Sequence, residues 1–184
     1  MSPIQLTTVS ASDTRLVGQA LAEFLHAGDL VILEGELGAG KTTLTQGIGA
    51  GLEVSQRITS PTFIIARTHP TARESVGNLV HVDAYRLEGG DDIEALDLES
   101  ALENSVVVVE WGGGKVETLS SHVLRLNLDR PETIEAPVTG TIADLPGDTR
   151  CLISIVSVCG DWDLSGLSAR WQQLRDAAGI VADV

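Results

Sequence analysis

At 184 residues, 43% of them hydrophobic and 21% charged, the chain has the size and make-up of one folded domain with a sizeable core, and no apolar run reaches membrane-spanning length. Its 26 acidic and 12 basic residues give a formal net charge of −14, with lysine only at Lys41 and Lys115. That balance lacks the basic stripe a free-standing nucleic-acid binder uses against phosphates; any link to nucleic acid would run through a partner protein, which an acidic surface suits, although plain solubility explains the acidity equally well. The start, Met-Ser-Pro-Ile-Gln, shows no basic stretch followed by an apolar one, which predicts a cytoplasmic protein without a secretory signal. Cys151 and Cys159 fall in an alternating apolar segment and read as buried free thiols.

In chain order, Ser12 or Asp13 is placed to cap a helix whose apolar positions Leu16, Val17, Ala20, Leu21, Phe24 and Leu25 recur at helical spacing, with Gly28 as its stop. Leu30-Val31-Ile32-Leu33-Glu34 reads as a buried strand and runs directly into Gly35-Glu36-Leu37-Gly38-Ala39-Gly40-Lys41-Thr42. A strand, a loop of this spacing and a following helix form a nucleotide phosphate cradle. Gly35, Gly38 and Gly40 let the backbone curl until successive N–H groups point at one phosphate. Lys41 supplies a flexible charge for the terminal phosphates, Thr42 a hydroxyl for magnesium, and the helix turns its positive end to the anion. That helix spans residues 41 to about 52, and its Gly47, Gly49 and Gly51 mimic a dinucleotide fingerprint but follow a helix start, so close helix packing or fraying is the better account.

Ile58-Thr59-Ser60-Pro61-Thr62 reads as a loop entering a strand at Phe63 to Arg67; a hydroxyl-rich loop here either senses the terminal phosphate or is an ordinary turn. Residues 70 to 78 suggest an exposed hairpin connection, and Leu79 to Arg86 a strand delivering Asp83 at its end. Asp91 to Glu103 reads as one acidic surface helix. Val106-Val107-Val108-Val109-Glu110-Trp111 is the most apolar strand, as expected of a parallel sheet covered on both faces. Leu124, Leu126 and Leu128, and parts of 150 to 158, alternate with polar residues and suggest added antiparallel strands; 131 to 148 reads as a loop. Leu164, Leu167, Trp171, Leu174 and Ala178 form a helical stripe, with Arg170 and Arg175 off it, that either docks on the core or binds a partner.

Hydrolysis or transfer of a terminal phosphate needs a carboxylate to complete magnesium coordination and a group to orient the attacking oxygen. Glu110 ends the buried valine run, where magnesium and Lys41 would offset its charge, and Asp83 ends a neighbouring strand. His81 shares a strand face with Asp83, which permits a metal role, but without a third nearby ligand a packed, hydrogen-bonded histidine is the better account. Trp111 either covers the nucleotide or fills a core edge.

Gly35 to Thr43, Thr59-Ser60-Pro61-Thr62-Phe63, His81-Val82-Asp83-Ala84-Tyr85-Arg86-Leu87 and Val109-Glu110-Trp111, in that order, resemble the TsaE (YjeE) family of small bacterial P-loop ATPases. The resemblance implies an α/β P-loop NTPase fold, a mostly parallel central sheet with added antiparallel strands and helices on both faces. The chain reads as a single such domain over residues 1–160 with a C-terminal helical extension over 161–184; the loop at 131–148 and the tail after about 160 lie beyond the part that carries the resemblance. It further implies a weak ATPase using ATP and Mg²⁺, activated by the TsaB–TsaD pair and supporting repeated turnover as that pair makes threonylcarbamoyladenosine beside the anticodon, with tRNA reached only indirectly. Carried over by position, Glu36, Leu37, Gly38, Ala39, Gly40, Lys41, Thr42 and Thr43 would hold the nucleotide with Trp111 beside it. Thr42 and Glu110 would hold the metal, Asp83 with Glu110 and Lys41 would serve hydrolysis, and Ser60, Pro61 and Thr62 would form a switch loop. Two alternatives stand beside this reading. A small-molecule or nucleoside kinase would need an arginine-rich lid, and arginines are sparse. A GTP-dependent switch would need a guanine reader that the sequence lacks; Asp144-Leu145-Pro146-Gly147, which mimics part of its signature, lies far from the phosphate loop and reads as a turn.

Overall fold

The computed structural model describes residues 3–61, 65–87, 90–130 and 151–180; Thr62, the expected loop at 131–148 and the Asp144–Gly147 turn lie outside them. Seven strands, β1 (Ile4–Thr8), β2 (Leu30–Glu34), β3 (Ala66–Pro70), β4 (Asn78–Asp83), β5 (Ser105–Glu110), β6 (Val123–Asp129) and β7 (Cys151–Cys159), form one sheet in the order β1-β7-β6-β2-β5-β4-β3. Five α-helices accompany them among the described residues: α1 (Ala11–Ala22), α2 (Lys41–Gly51), α3 (Gly90–Glu94), α4 (Leu98–Leu102) and α5 (Leu167–Ala178).

The sheet is mixed rather than mostly parallel. β6, β2, β5 and β4 run parallel at its centre, while the β1–β7, β6–β7 and β3–β4 pairings are antiparallel. β6 was expected among the added antiparallel strands, but it pairs parallel with β2 on one side and antiparallel with β7 on the other. Its alternation has another cause: Leu124, Leu126 and Leu128 are buried, whereas Arg125 and Asn127 are half-buried on the opposite face. One-sided burial gives alternation whatever the strand direction.

Helices cover both faces. Val31, Leu33, Leu79, Val106 and Val108 pack with residues of α1, α2 and α5 on one face, while Leu30, Ile32, Val80, Val82, Val107 and Val109 pack with Ile93, Leu98 and Leu102 on the other. Those last three residues show that the acidic segment is amphipathic, but it is not one helix. Asp97 takes a left-handed conformation (φ 47°) and divides it into α3 and α4. The connection after β3 is also less exposed than expected, because Val76 is fully buried in the core.

The cap of α1 is Ser10, not Ser12 or Asp13: its hydroxyl accepts from the Asp13 N–H at 3.1 Å, and Asp13 reaches back to accept from the Val9 N–H at 3.0 Å. α1 then lies close along α2. A Cβ on Gly18 would stand 2.4 Å from the Leu44 carbonyl oxygen, and one on Gly47 2.1 Å from that of Arg15. Close helix packing is therefore the role of Gly47. α5 docks on α1, and Arg175, which the helical stripe places off the apolar face, is 5% exposed and 3.2 Å from Asp13 Oδ1 through Nε. Trp171 Nε1 donates to the same oxygen at 3.0 Å, so the Asp13 carboxylate is hydrogen-bonded by Trp171 and Val9 and meets Arg175 as an ion pair. Cys151 is buried and Cys159 half-buried, both as free thiols.

Candidate active site

Sheet register decides which side chains meet. Asp83 pairs with Glu110, and His81 with Val108, across parallel strands β4 and β5, so His81, Asp83 and Glu110 share one face. Val108 belongs to the core beneath α1 and α2, so that face is the one α2 covers. The loop from β2 to α2 is shaped by close approach and by a left-handed turn. A Cβ on Gly35 (φ 137°) would lie 2.3 Å from the Leu128 carbonyl oxygen, and Gly40 (φ 114°) caps α2 in a conformation costly for other residues. The start of α2 thereby lies over the ends of β4 and β5. Thr42 Oγ1 donates to Glu110 Oε1 at 2.9 Å.

Lys41 is 5% exposed, and its Nζ donates to the Gly35 and Glu36 carbonyl oxygens at 2.7 and 3.0 Å. Burial pushes its ammonium below the ordinary lysine value, while Glu110, Asp83 and Glu34 pull the other way. Nζ also lies 3.7 Å from the centroid of the Trp111 ring. Trp111 itself has φ 62°, a conformation uncommon outside glycine, which turns its ring back over the site. Its ring stands 5.4 Å from that of Tyr85, which is 67% exposed.

These groups bound a cavity of about 600 Å³, lined by Leu37, Gly38, Gly40, Lys41, Thr42 and Thr43 of the loop and helix start, by Ser60, by Asp83, Tyr85 and Arg86, and by Glu110 and Trp111. Asp83 is 8% exposed, and its Oδ1 accepts from the Tyr85 N–H at 3.1 Å. Ser60 reaches the cavity, whereas Pro61 beside it is buried. Glu36 contributes its carbonyl to Lys41, and Ala39 is buried in the core; neither lines the cavity. Sequence reasoning passed over Tyr85 and Arg86 as site residues. The signal that could have found them is their place directly after a strand-end aspartate, where a turn carries the chain across the sheet edge.

Chemically, the site offers a lysine cation beside a helix N-terminus, which suits a polyanion, and a hydroxyl paired with a carboxylate, which suits a hard divalent cation. Fold and site thus define an α/β protein built around a strand, glycine-loop and helix cradle faced by two strand-end carboxylates. The model of the family described as "Threonylcarbamoyl adenosine biosynthesis protein TsaE" matches residues 8–136. A Streptomyces coelicolor protein named tRNA threonylcarbamoyladenosine biosynthesis protein TsaE is 61% identical over 117 residues, 63% of this chain and 78% of that one. The protein of the same name from Bacillus subtilis is 34% identical over 142 residues, 77% of this chain and 87% of that one. The crystal structure of Bacillus subtilis YdiB aligns with a TM-score of 0.63 at 25% identity, covering 94% of this chain and 96% of that one. The chain belongs to the TsaE family.

Proposed function

We propose that this protein is the ATP-hydrolysing member of the bacterial machinery that makes threonylcarbamoyladenosine in tRNA, with a P-loop NTPase fold, a cytoplasmic location, magnesium dependence and activation by the TsaB–TsaD pair. The observation that carries the reading is the meeting of Lys41, the Thr42–Glu110 pair and Asp83 at one cavity. Names of the family and its relatives support the tRNA-modification role and favour it over the kinase and guanine-nucleotide alternatives.

In this reading the loop N–H groups and Lys41 bind the phosphates, with Lys41 exchanging its loop carbonyl partners for phosphate oxygens. Thr42 and Glu110 would hold magnesium: the hydroxyl donates its hydrogen bond to Glu110 and keeps its oxygen lone pairs available to a cation. Magnesium, when bound, would supply positive charge that offsets the negative charge building on the phosphate oxygens. Asp83, steadied through Oδ1 by the Tyr85 N–H, orients the attacking water. Trp111 and Tyr85 flank the nucleotide, and Ser60 belongs to a loop that responds to the terminal phosphate.

Phosphate release from ATP with magnesium, measured for the chain alone and with TsaB and TsaD from the same source, tests the proposal. A slow basal rate that rises on adding the pair is expected. A rate indifferent to the pair would remove the assignment to tRNA modification, and no release in either case would remove hydrolysis.

A further inference from the structure

His81 takes no part in the steps above, yet it is 0% exposed and its Nε2 lies 2.8 Å from Glu110 Oε1. A carboxylate oxygen only accepts, so Nε2 carries the proton and donates. The ring does not line the cavity, and its other nitrogen, Nδ1, has no hydrogen-bond partner among the described residues. The one hydrogen bond of its ring among the described residues is with Glu110. A buried ring nitrogen left unsatisfied costs stability, and a purely apolar side chain would fill the same space without that cost. Glu110 is itself 4% exposed and receives two donors on one atom, the His81 N–H at 2.8 Å and the Thr42 hydroxyl at 2.9 Å. Both use Oε1, so Oε2 is committed to neither.

We infer that His81 is a positioning residue for the cation site: it holds the Glu110 carboxylate in one orientation through Oε1, so that the cation meets a carboxylate already aimed rather than one that must be ordered on binding. The inference rests on the hydrolase reading above and adds a residue to it. Touching neither substrate nor cation, His81 acts only through Glu110. Outer-sphere partners of this kind typically carry about 10- to 100-fold in metal affinity or activity.

The test compares His81→Leu, which keeps bulk and loses the donor, with His81→Gln, whose amide donates at similar reach. Magnesium is titrated into the full-length chain holding a fluorescent ADP analogue, ATP turnover is measured, and thermal melting checks folding. His81→Leu is expected to weaken magnesium affinity about 10-fold or more and to lower kcat, with metal-free nucleotide affinity unchanged; His81→Gln is expected to recover most of both. Unchanged magnesium affinity in a folded His81→Leu overturns the inference. Equal defects in the two variants also overturn it, by assigning the effect to ring packing rather than to the N–H. If His81→Leu does not fold, His81→Asn takes its place, its amide stopping short of Glu110. A wild-type chain indifferent to magnesium overturns the hydrolase reading and this inference together, whereas magnesium dependence that survives loss of the donor overturns this inference alone.

Discussion

Lys41 and Glu110 are both nearly buried, at 5% and 4% exposure, and each charge is tolerable because the other stands nearby with polar partners around it. Their roles separate by substitution. Lys41→Ala is expected to abolish binding of a labelled nucleotide, because it removes the one lysine at the cavity. Glu110→Ala and Asp83→Ala should retain part of the binding and lose hydrolysis, and unchanged hydrolysis in both would sink the site assignment. His69 invites a second experiment. It is 1% exposed with neither ring nitrogen hydrogen-bonded among the described residues, and burial, with the charges of His81 and Arg67, pushes its pKa below the usual histidine range. The unfolded chain takes up that proton near its ordinary value of about 6.5. Between the lowered folded value and that point the unfolded state binds more protons, so stability rises with pH through the window and is lost as pH falls through it. The melting temperature of wild type should therefore drop more steeply than that of His69→Leu between about pH 7 and pH 5. Parallel curves would show that His69 takes its proton as readily folded as unfolded.

α1, α2 and α5 form a stack whose spacing is set by small residues and whose outer member is held by a buried charge cluster. Gly47→Ala should gain about 1 kcal/mol in helix propensity but forces a methyl to within 2.1 Å of the Arg15 carbonyl oxygen. Backbone cannot step aside as a flexible side chain can, so a net loss of about 1–3 kcal/mol in denaturant unfolding is expected. Asp13→Ala removes the shared partner of Val9 N–H, Trp171 Nε1 and Arg175. It leaves a buried guanidinium uncompensated, and a loss of about 3 kcal/mol or more is expected, with protease sensitivity appearing first at α5. Trp171→Phe, which keeps the ion pair, should lose less. The apolar stripe of α5 was legible at Leu167 and Trp171. The place of Arg175 was not, because a charge is drawn into a core only by a partner from another element, here Asp13, separated by most of the chain.

The whole molecule carries a net charge of −14, and no helix among its described residues is long and apolar enough to cross a membrane. If the acidic surface steers the proposed partners, their association should weaken as salt rises from about 0.05 M to 0.5 M, with most of the change in the on-rate; a salt-independent complex would point to an apolar interface instead. The sequence by itself determined whatever depends on neighbours along the chain. The run from Leu30 to Thr42 specified strand, cradle and helix, because glycine spacing and an apolar run act locally. The valines of β5 announced burial on both faces, and the strand ends placed Asp83 and Glu110 as candidates. Other features needed the tertiary structure. β1 had no distinctive pattern and exists through its pairing with β7, while β6 owes its parallel partner to β2, a relation that alternation does not encode. The break at Asp97 and the choice of Ser10 as cap depended on how short segments settle against the sheet. So did the partner of His81: strand periodicity put it on the right face, but only the packing of β4 beside β5 brought its ring against Glu110, because contacts between distant residues are fixed by register and layer order rather than by local propensity.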